Sequence, residues 1–477
     1  MSDRQDSGIA SLLLLLTASA AWLTAHLQEI TFGDGILYLQ MVRQGDLYAH
    51  HHLYLPGMVA FTKGVGLIGI DDRAAGFLFS TFMVLVGNAF LWLTIRDRGG
   101  RWPTLFVLLA TSSAVVTFFG TTAENHGQHY AWVCLALWSF AVAVGRGGWL
   151  AWLAAGLALA CVPASHLTGF MLVPAMALAA LLRGGLPRTA VYLVPLAVYA
   201  VLFHLTTWFR ADVLELRPDL IANPIGFEID SKILTPGLDP RRWPGYLWNA
   251  WLVPAFGCWL ALAAALPWLW RHARASAVIA VFGMLPYLVL LPMHSYPERG
   301  AYFLALVPWA VLATSLASRN APRGLAWVLA AVIVVQGAWA SWSLAGHPTE
   351  SHTDAKGFAQ LWAQDAISVE AKVPPERRLY LCTELWRKTH LEYDHRAGVL
   401  RLNPALADVG AAHKAKTLEA FATELPNYIK QGAVFVTEEL WQQLPKLWPE
   451  LRAVLEKAFR VKQIRHGRFV GRRVVER

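Results

Sequence analysis

Charged residues are scarce in this chain. Asp, Glu, Lys and Arg make up 15% of its 477 residues, against about a quarter in soluble domains. Hydrophobic residues make up 56%, and 22 tryptophans are present. This composition excludes an ordinary soluble enzyme, and we expect a protein that crosses a membrane many times.

Cysteine is also scarce. Three of the four cysteines, Cys134, Cys161 and Cys258, fall inside apolar runs, and Cys382 stands alone in a polar region. This spacing excludes a disulfide or zinc framework. The net charge is +9, but most arginines of the apolar region lie in short loops, where they act as topology signals. We therefore expect no nucleic-acid partner.

The charges that are present lie mostly near the C-terminus. From Gly346 onward the chain holds 37 of its 73 charged residues and nine of its eleven lysines. We therefore predict a transmembrane domain at 1–345 and a water-soluble domain at 346–477, which has a normal domain length.

Eleven apolar runs are long enough, or nearly long enough, to span a bilayer. Arginines occur in every second loop between them, which predicts a cytoplasmic N-terminus and, with an odd number of spans, an outer C-terminal domain. We expect the cytoplasmic (inner) membrane. The runs are 9–28, 74–95, 102–120, 128–145, 148–165, 166–183, 188–209, 246–270, 275–293, 301–318 and 323–345.

Two long loops fall on the predicted outer side. The first, 29–72, contains a broken apolar stretch at 53–70 that we interpret as interfacial, because a twelfth span would disturb the arginine alternation. The second, 210–245, is rich in Pro and Asp and could cover a site. Long loops of this kind are usually functional.

The C-terminal domain shows α/β patterning. Arg378–Cys382 and Ala433–Thr437 read as buried strands, each followed by a helical stretch, and Val461–Val475 reads as a hairpin with Gly467 near its turn. It contains no phosphate-binding glycine loop and no nucleophile motif. We therefore expect it to support the membrane domain or to recognise an acceptor.

Asp34 is the first candidate for catalysis. It lies between Gly33 and Gly35 just beyond the first apolar run, and Tyr38 follows on a predicted amphipathic helix. A carboxylate at the membrane boundary could accept a proton from a hydroxyl group. The alternative is a solvated loop acid or the N-cap of the helix that begins at Ile36.

Three consecutive histidines, His50, His51 and His52, precede Tyr54-Leu-Pro56. His50 with His52, or one of the three with Asp34, could ligate a divalent metal, or one of them could contact a phosphate. Alternatively they are interfacial polar residues beside an amphipathic helix.

A second polar group joins two spans on the outer side. Glu124 and His126 lie at a helix mouth, with His129 one turn further along. They are candidate site residues, and a plain solvated turn is the alternative. His166 also ends a helix on this side, where a structural role with its hydrogen bonds satisfied is favoured.

Arg299 lies on the outer side, against the usual bias of basic residues. It belongs to the segment His294-Ser-Tyr-Pro-Glu-Arg299, with Tyr296 before it and Tyr302 after it. An arginine in this position needs an anionic partner, either a lipid headgroup or the phosphate of a bound lipid substrate, which guanidinium holds in a bidentate way.

Together these segments resemble the GT-C superfamily of integral-membrane glycosyltransferases, which includes protein O-mannosyltransferases and aminoarabinose transferases. The matching segments are Asp34 with Tyr38, Gly45-Asp46-Leu47-Tyr48, Tyr54-Leu-Pro56, and Glu298-Arg299-Gly-Ala-Tyr302 leading to Pro308. Two departures matter. Gly35 stands where many members have a second acid, so we take Glu124 as that acid, with Asp46 behind it. Two residues also separate Arg299 from Tyr302, which are often adjacent in relatives.

The resemblance implies an inverting transfer from a polyprenyl-phosphate sugar donor to a hydroxyl of a lipid, glycan or protein acceptor. Asp34 would deprotonate the acceptor, while Arg299 and a histidine of the run at 50–52 would stabilise the departing phosphate. Tyr38, His126, Tyr296 and Tyr302 would contact substrate. No cofactor is required, and a divalent metal is left open.

The alternative class is a transporter or flippase of lipid-linked substrates. Such a protein is expected to hold ionisable side chains within its spans. The predicted spans hold almost none, with His204 the exception. This favours an enzyme.

Overall fold

The computed structural model describes most of the chain. The described residues are 2–28, 35–44, 52–209, 241, 243–291, 298–345, 355–369, 372–382, 391, 395–401, 425, 429–430 and 433–476. They form two compact units, one made of Met1–Glu29 with Met41–Gly346 and one made of Ile30–Gln40 with His347–Arg477.

Helices follow the predicted apolar runs up to residue 345. They are α1 (Ser2–Ala25), α2 (Gly35–Gln44), α3 (Tyr54–Gly66), α4 (Asp72–Asp97), α5 (Pro103–Thr111), α6 (Ala114–Phe119), α7 (His126–Arg146), α8 (Trp149–Ser165), α9 (Val173–Phe209), α10 (Phe256–His272), α11 (Arg274–Leu290), α12 (Leu306–Ala317) and α13 (Gly324–Ala345). Shorter helical segments are Leu167–Leu172, Trp243–Tyr246, Leu247–Leu252, Val253–Ala255, Glu298–Phe303 and Ser318–Asn320.

Seven stretches of the described helices are long and apolar enough to cross a membrane. They are Gly8–Ala25, Asp72–Asp97, His126–Arg146, Leu167–Val201, Trp243–His272, Gly300–Ala317 and Gly324–Leu344. Two shorter apolar helices, α8 and α11, accompany them. The prediction of a polytopic helical membrane protein is confirmed.

One helix and one predicted run contain breaks. Within α9 the backbone of Gly185 is non-helical, with φ 71° and ψ 175°, which separates the runs predicted at 166–183 and 188–209. The run predicted at 102–120 as one helix forms α5 and α6 instead. It breaks at Ser112 and Ser113, where the Ser113 hydroxyl accepts a hydrogen bond from the Val116 amide at 3.4 Å and caps α6.

The break after α5 leaves the carbonyl of Leu109 without the usual helical partner, because the Ser113 amide donates to Ala110. Two other helices supply donors. Gln336 of α13 donates from Nε2 at 2.7 Å, and Cys258 of α10 donates from Sγ at 3.6 Å. Oε1 of the Gln336 side chain accepts a hydrogen bond from the backbone N–H of Gly257 at 2.8 Å. One buried amide thus ties three helices together.

A second buried amide, Asn88 of α4, ties four helices. Its Nδ2 donates to Thr111 Oγ1 at 2.9 Å and to Ser19 Oγ at 3.3 Å. Its Oδ1 accepts from the Tyr130 hydroxyl at 2.9 Å. Neutral hydrogen-bonded groups of this kind hold apolar helices together where burial of hydrophobic surface gives little driving force.

Most of the broken apolar stretch predicted at 53–70 forms α3. This helix has 13 residues, so it is about 20 Å long and shorter than a bilayer core of about 30 Å. The Gln128 amide donates to the carbonyl of Leu53 at 2.9 Å and fixes the start of α3 against α7. The interfacial interpretation agrees with this length.

The second unit contains a five-stranded mixed sheet in the order β2-β1-β3-β5-β4. The strands are β1 (Arg378–Cys382), β2 (Gly398–Arg401), β3 (Ala433–Thr437), β4 (Phe459–His466) and β5 (Phe469–Glu476). β1 pairs in parallel with β2 and β3, whereas β5 is antiparallel to β3 and β4. The predicted strands and the hairpin around Gly467 are confirmed.

Helices cover both faces of this sheet. On one face Tyr380 and Phe435 pack with Trp362 of α14 (Ala355–Ser368). On the other face Leu381 and Val436 pack against α15 (Glu438–Leu447) and α16 (Pro449–Ala458). Every residue of β1 and β3 is buried, as expected for parallel strands covered on both sides.

Candidate active site

The loop Gly120–Asn125 leads from α6 into α7 and is buried throughout. Glu124 is 4% exposed and His126 is 3% exposed. The alternative interpretation as a plain solvated turn is therefore wrong, because neighbouring helices cover the loop. Sequence reasoning left this open, since polar residues between two spans are usually exposed.

The first half of α4 holds this loop in place. The hydroxyl of Thr81 donates to the carbonyl of Gly120 at 2.8 Å, and the hydroxyl of Ser80 donates to the carbonyl of Glu124 at 3.2 Å. Gly127 completes the contact, because a Cβ on it would lie 3.0 Å from the carbonyl oxygens of Phe119 and Ser80. The backbone around Glu124 is thus fixed from two sides.

Tyr54, the first residue of α3, lies near enough to Glu124 for the negative charge of the carboxylate to act on its hydroxyl. Burial raises the pKa of Tyr54 well above its usual value, and the negative charge of Glu124 raises that pKa further. Tyr54 is therefore a neutral hydroxyl that keeps its proton. Oε2 of Glu124 also accepts a hydrogen bond from the Asn125 amide at 3.3 Å, at the N-terminal end of α7 where negative charge is favoured.

His166 ends α8, and its neighbours define which ring nitrogen carries the proton. Nδ1 accepts a hydrogen bond from the Thr168 amide at 3.2 Å and lies 2.7 Å from the Thr168 hydroxyl. Because Nδ1 is the acceptor, the proton of the neutral ring is assigned to Nε2. His166 therefore has an N–H donor on the opposite side of its ring.

His129 has the opposite tautomer. The Ser165 hydroxyl donates to the carbonyl of Val162 at 2.7 Å, so its oxygen accepts from Nδ1 of His129 at 2.9 Å. The lone pair of the neutral His129 ring is then on Nε2. This nitrogen is buried and has no hydrogen-bond partner among the described residues.

Aromatic contacts bring these groups together. The ring centroid of His126 lies 4.8 Å from that of His166 and 6.2 Å from that of Tyr302. The centroid of His166 lies 5.4 Å from His129 and 5.6 Å from Tyr302. We call these four rings, with Glu124 and Tyr54, the histidine cluster.

Tyr302 belongs to the short helix Glu298–Phe303, which a close backbone contact positions. Gly300 has φ +86°, and a Cβ on it would lie 2.3 Å from the carbonyl oxygen of Ala250. Both the positive φ and the missing Cβ are properties of glycine. Any other residue would push this helix away from the segment Leu247–Leu252.

The structure thus brings together three predicted site residues, Glu124, His126 and Tyr302. His129, His166 and Tyr54 also belong to this cluster. The sequence predicted that they lie on the outer side but did not predict that they lie close together. The signal for these three was weak, because each comes from a different helix and their meeting depends on the packing of α3, α7 and α8.

Of the other predicted side chains, the structure describes those of Tyr38 and His52. Tyr38 is buried in α2. His52 lies with its Nδ1 3.2 Å from the hydroxyl of Tyr199. Asp34, Asp46, His50, His51 and Tyr296 lie outside the described residues, as does the side chain of Arg299. Their predicted roles stay predictions.

Metal binding was left open by the sequence. In the part of the chain that the structure describes, no group of three or more His, Cys, Asp or Glu side chains could hold a metal ion. Within that part, His129 and His166 form hydrogen bonds with Ser165 and Thr168. The pairing of His50 with His52 stays a prediction.

The histidine cluster can therefore donate and accept hydrogen bonds, and exchange protons, in a buried region with little water. It presents a carboxylate, a neutral phenol, an imidazole N–H and an imidazole lone pair within one buried region. Such preorganised groups stabilise developing charge strongly, because the low dielectric around them does not screen them.

Comparisons with known proteins concern the sequence family and the fold. The sequence model of the family "Dolichyl-phosphate-mannose-protein mannosyltransferase" matches residues 56–211. Two crystal structures of ArnT from Cupriavidus metallidurans, one in the apo state and one bound to undecaprenyl phosphate, share the fold. Their TM-scores are 0.59 and 0.58 at 13% identity, and each match covers 99% of this chain and 98% of ArnT. No curated protein matches the sequence.

The chain is therefore a polytopic membrane protein with the fold seen in ArnT. The family match covers residues 56–211, and the likeness in fold to ArnT covers almost the whole chain. The matched segment 56–211 includes Glu124 and all three histidines of the cluster.

Proposed function

We propose that this protein transfers a sugar from a polyprenyl-phosphate donor to an acceptor hydroxyl at the outer face of the cytoplasmic membrane. The observation that carries the proposal is the likeness in fold to ArnT over 99% of the chain. ArnT has been crystallised with undecaprenyl phosphate, and the matching family is described by a dolichyl-phosphate sugar. Both support a lipid-phosphate donor.

The proposed reaction is a single displacement with inversion. Asp34 takes the proton of the acceptor hydroxyl as its oxygen attacks the anomeric carbon. The bond between that carbon and the phosphate oxygen breaks, and polyprenyl phosphate leaves with the electron pair. Arg299 is proposed to hold the departing phosphate, because guanidinium binds phosphate oxygens in a bidentate way.

The histidine cluster is proposed to position the reacting groups. The Nε2 proton of His166 is a donor suited to an anionic oxygen, and the Nε2 lone pair of His129 is an acceptor suited to a hydroxyl. Glu124 is the proposed second acid. The residue is buried, and its negative charge acts on the hydroxyl of Tyr54. Tyr38, His50, His52, Tyr296 and Tyr302 are proposed substrate contacts.

The test is transfer of radiolabelled sugar from a panel of polyprenyl-phosphate sugars, in membranes that contain the wild type or Asp34→Asn. We expect the variant to lose at least 100-fold in rate, because a general base contributes about 10²–10⁴-fold. Asp72→Asn is the matched control, since Asp72 forms a half-exposed surface ion pair with Arg43 at 3.3 Å.

Two outcomes would contradict the proposal at different levels. Equal rates for wild type and Asp34→Asn would remove Asp34 as the base but keep the enzyme class. Absence of transfer from every donor, with inserted and folded protein, would favour a flippase, and movement of labelled lipid between leaflets would then be measured.

A further inference from the structure

Three arginines line a cavity at the end of the bundle opposite the histidine cluster. This cavity has a volume of about 450 Å³, and its lining includes Arg98, Arg183 and Arg319. Arg98 follows α4, Arg183 lies in the first half of α9, and Arg319 follows α12. Three segments far apart in sequence thus bring a guanidinium to one place.

The position of the cavity along the bundle follows from α4 and α7. Leu137 and Phe140 of α7 line it, 11 and 14 residues beyond His126, which is about 17–21 Å along the helix. Arg98 lies 18 residues beyond Ser80, which contacts the loop of Glu124. The arginine alternation predicts that this end faces the cytoplasm.

The walls of the cavity are apolar, whereas its mouth is positively charged. Apolar side chains such as Phe140, Met176 and Trp309 line its walls. Arg183 and Arg319 are exposed, whereas Arg98 is half-buried. No acidic side chain occurs among the described residues that line the cavity. The cavity therefore combines an apolar interior with a strongly basic mouth.

The three guanidinium groups repel one another. Burial lowers the pKa of Arg98, and the charges of Arg183 and Arg319 lower it further, while Asp97 opposes the shift. Asp97 itself is paired with Arg96 at 2.7 Å. Arg98 donates to the carbonyl of Ala141 at 3.1 Å, which satisfies one donor but neutralises no charge.

Positive residues that only set the orientation of the protein in the membrane do not need to lie around one cavity, as Arg98, Arg183 and Arg319 do. Arg146, on the same predicted side, is exposed and lines no part of the cavity, yet it serves equally well as a positive loop residue. Like charges gathered around a concave, partly buried site are favourable once a multivalent anion lies between them.

We propose that this cavity binds the phosphate group of an anionic lipid, with the phosphate held between Arg98, Arg183 and Arg319 and the hydrocarbon chain against the apolar wall. The volume falls within the range of small-ligand sites, about 300–1,000 Å³. A free phosphate ion offers the same oxygens but would leave the apolar wall unused. The site is distinct from the donor site proposed at the histidine cluster and does not depend on it.

The test uses the full-length protein in a neutral detergent, with lipid binding counted by native mass spectrometry. Phosphatidylglycerol and phosphatidic acid are the probes, phosphatidylcholine is the neutral-headgroup control, and inorganic phosphate is a separate arm. We expect the wild type to retain one anionic lipid, and Arg183→Gln with Arg319→Gln to weaken its retention by tenfold or more, because two charge-assisted contacts are lost.

Arg146→Gln is the matched variant, because it removes one positive charge from the same face outside the cavity. It should bind as the wild type does. Both variants change exposed side chains, and unchanged thermal unfolding in lipid-free detergent verifies that they fold. Equal loss in Arg146→Gln, equal retention in all proteins, or binding of inorganic phosphate without lipid would each overturn the proposal.

Discussion

The imidazole rings of His126 and His166 lie 4.8 Å apart, although the two residues belong to different helices. His126 begins α7, and His166 follows the last residue of α8. Their contact joins the buried loop of Glu124 to the segment that holds Thr168. If the histidine cluster is the active site, a displacement of α7 would alter the position of His166 through this contact, and a displacement of α8 would alter the position of His126.

Replacement of His166 by Ala should lower sugar transfer by about 10–100-fold, because the substrate loses an N–H donor that Thr168 holds in a fixed tautomer. The measurement is the rate with saturating donor, in reconstituted protein. His466→Ala is the control, since His466 lies exposed in the C-terminal hairpin. Activity of His166→Ala within twofold of the wild type would exclude a role in the reaction.

Replacement of Glu124 by Gln should lower transfer by about 10²-fold or more while the fold persists, because the amide keeps the shape of the carboxylate and removes its charge. Tyr54→Phe should have a smaller effect, since it removes only a hydroxyl beside that charge. The two single variants and the double variant form a cycle that measures the coupling. Additive losses in the cycle would contradict a shared role.

Replacement of Asn88 by Leu should destabilise the membrane unit by about 1–3 kcal/mol. The Tyr130 hydroxyl would lose its acceptor and Thr111 would lose a donor, each in a buried place. The measurement is the midpoint of unfolding in a titration of denaturing detergent. Gln442→Leu, an exposed position on α15, is the comparison, and a midpoint equal to that of Asn88→Leu would contradict the expectation.

Replacement of Gly300 by Ala should abolish transfer or the folded yield. The methyl group would lie 2.3 Å from the carbonyl oxygen of Ala250, on a backbone with φ +86°. Gly64→Ala is the matched control, because a Cβ there meets no atom within 4 Å and alanine favours the helix. Normal activity of Gly300→Ala would show that the helix of Tyr302 can move without consequence.

Much of the fold could be predicted from the sequence. Long apolar runs determine membrane helices because an unpaired backbone group is costly in lipid, and the arginines indicated where the loops turn. The buried strands of the C-terminal domain could also be predicted, from their short apolar runs. The break between α5 and α6 was not, because Ser112 and Ser113 are compatible with an apolar helix until Ser113 acts as a cap.

The candidate site was predictable only in part. Glu124 and His126 stood out because polar groups interrupted apolar sequence. The partnership of His166 with His126 was not visible, since it depends on how α8 packs beside α7. Arg98, Arg183 and Arg319 likewise read as separate topology signals, and only the packed bundle brings them to one cavity.

The bond between Gln336 and the carbonyl of Leu109 has a consequence for biosynthesis. The ribosome synthesises the chain from the N-terminus, so α5 is inserted into the membrane long before α13 is translated. Until Gln336 arrives, the carbonyl of Leu109 has only the longer hydrogen bonds from the Ser112 hydroxyl at 3.3 Å and from Cys258 at 3.6 Å, and it lacks its closest donor, at 2.7 Å. Weaker pairing of a backbone carbonyl is unfavourable in a medium without water. The early bundle therefore remains incomplete until the last membrane helix docks, and a chain that ends before residue 336 should be recognised by membrane quality-control proteases even though most of its helices are present.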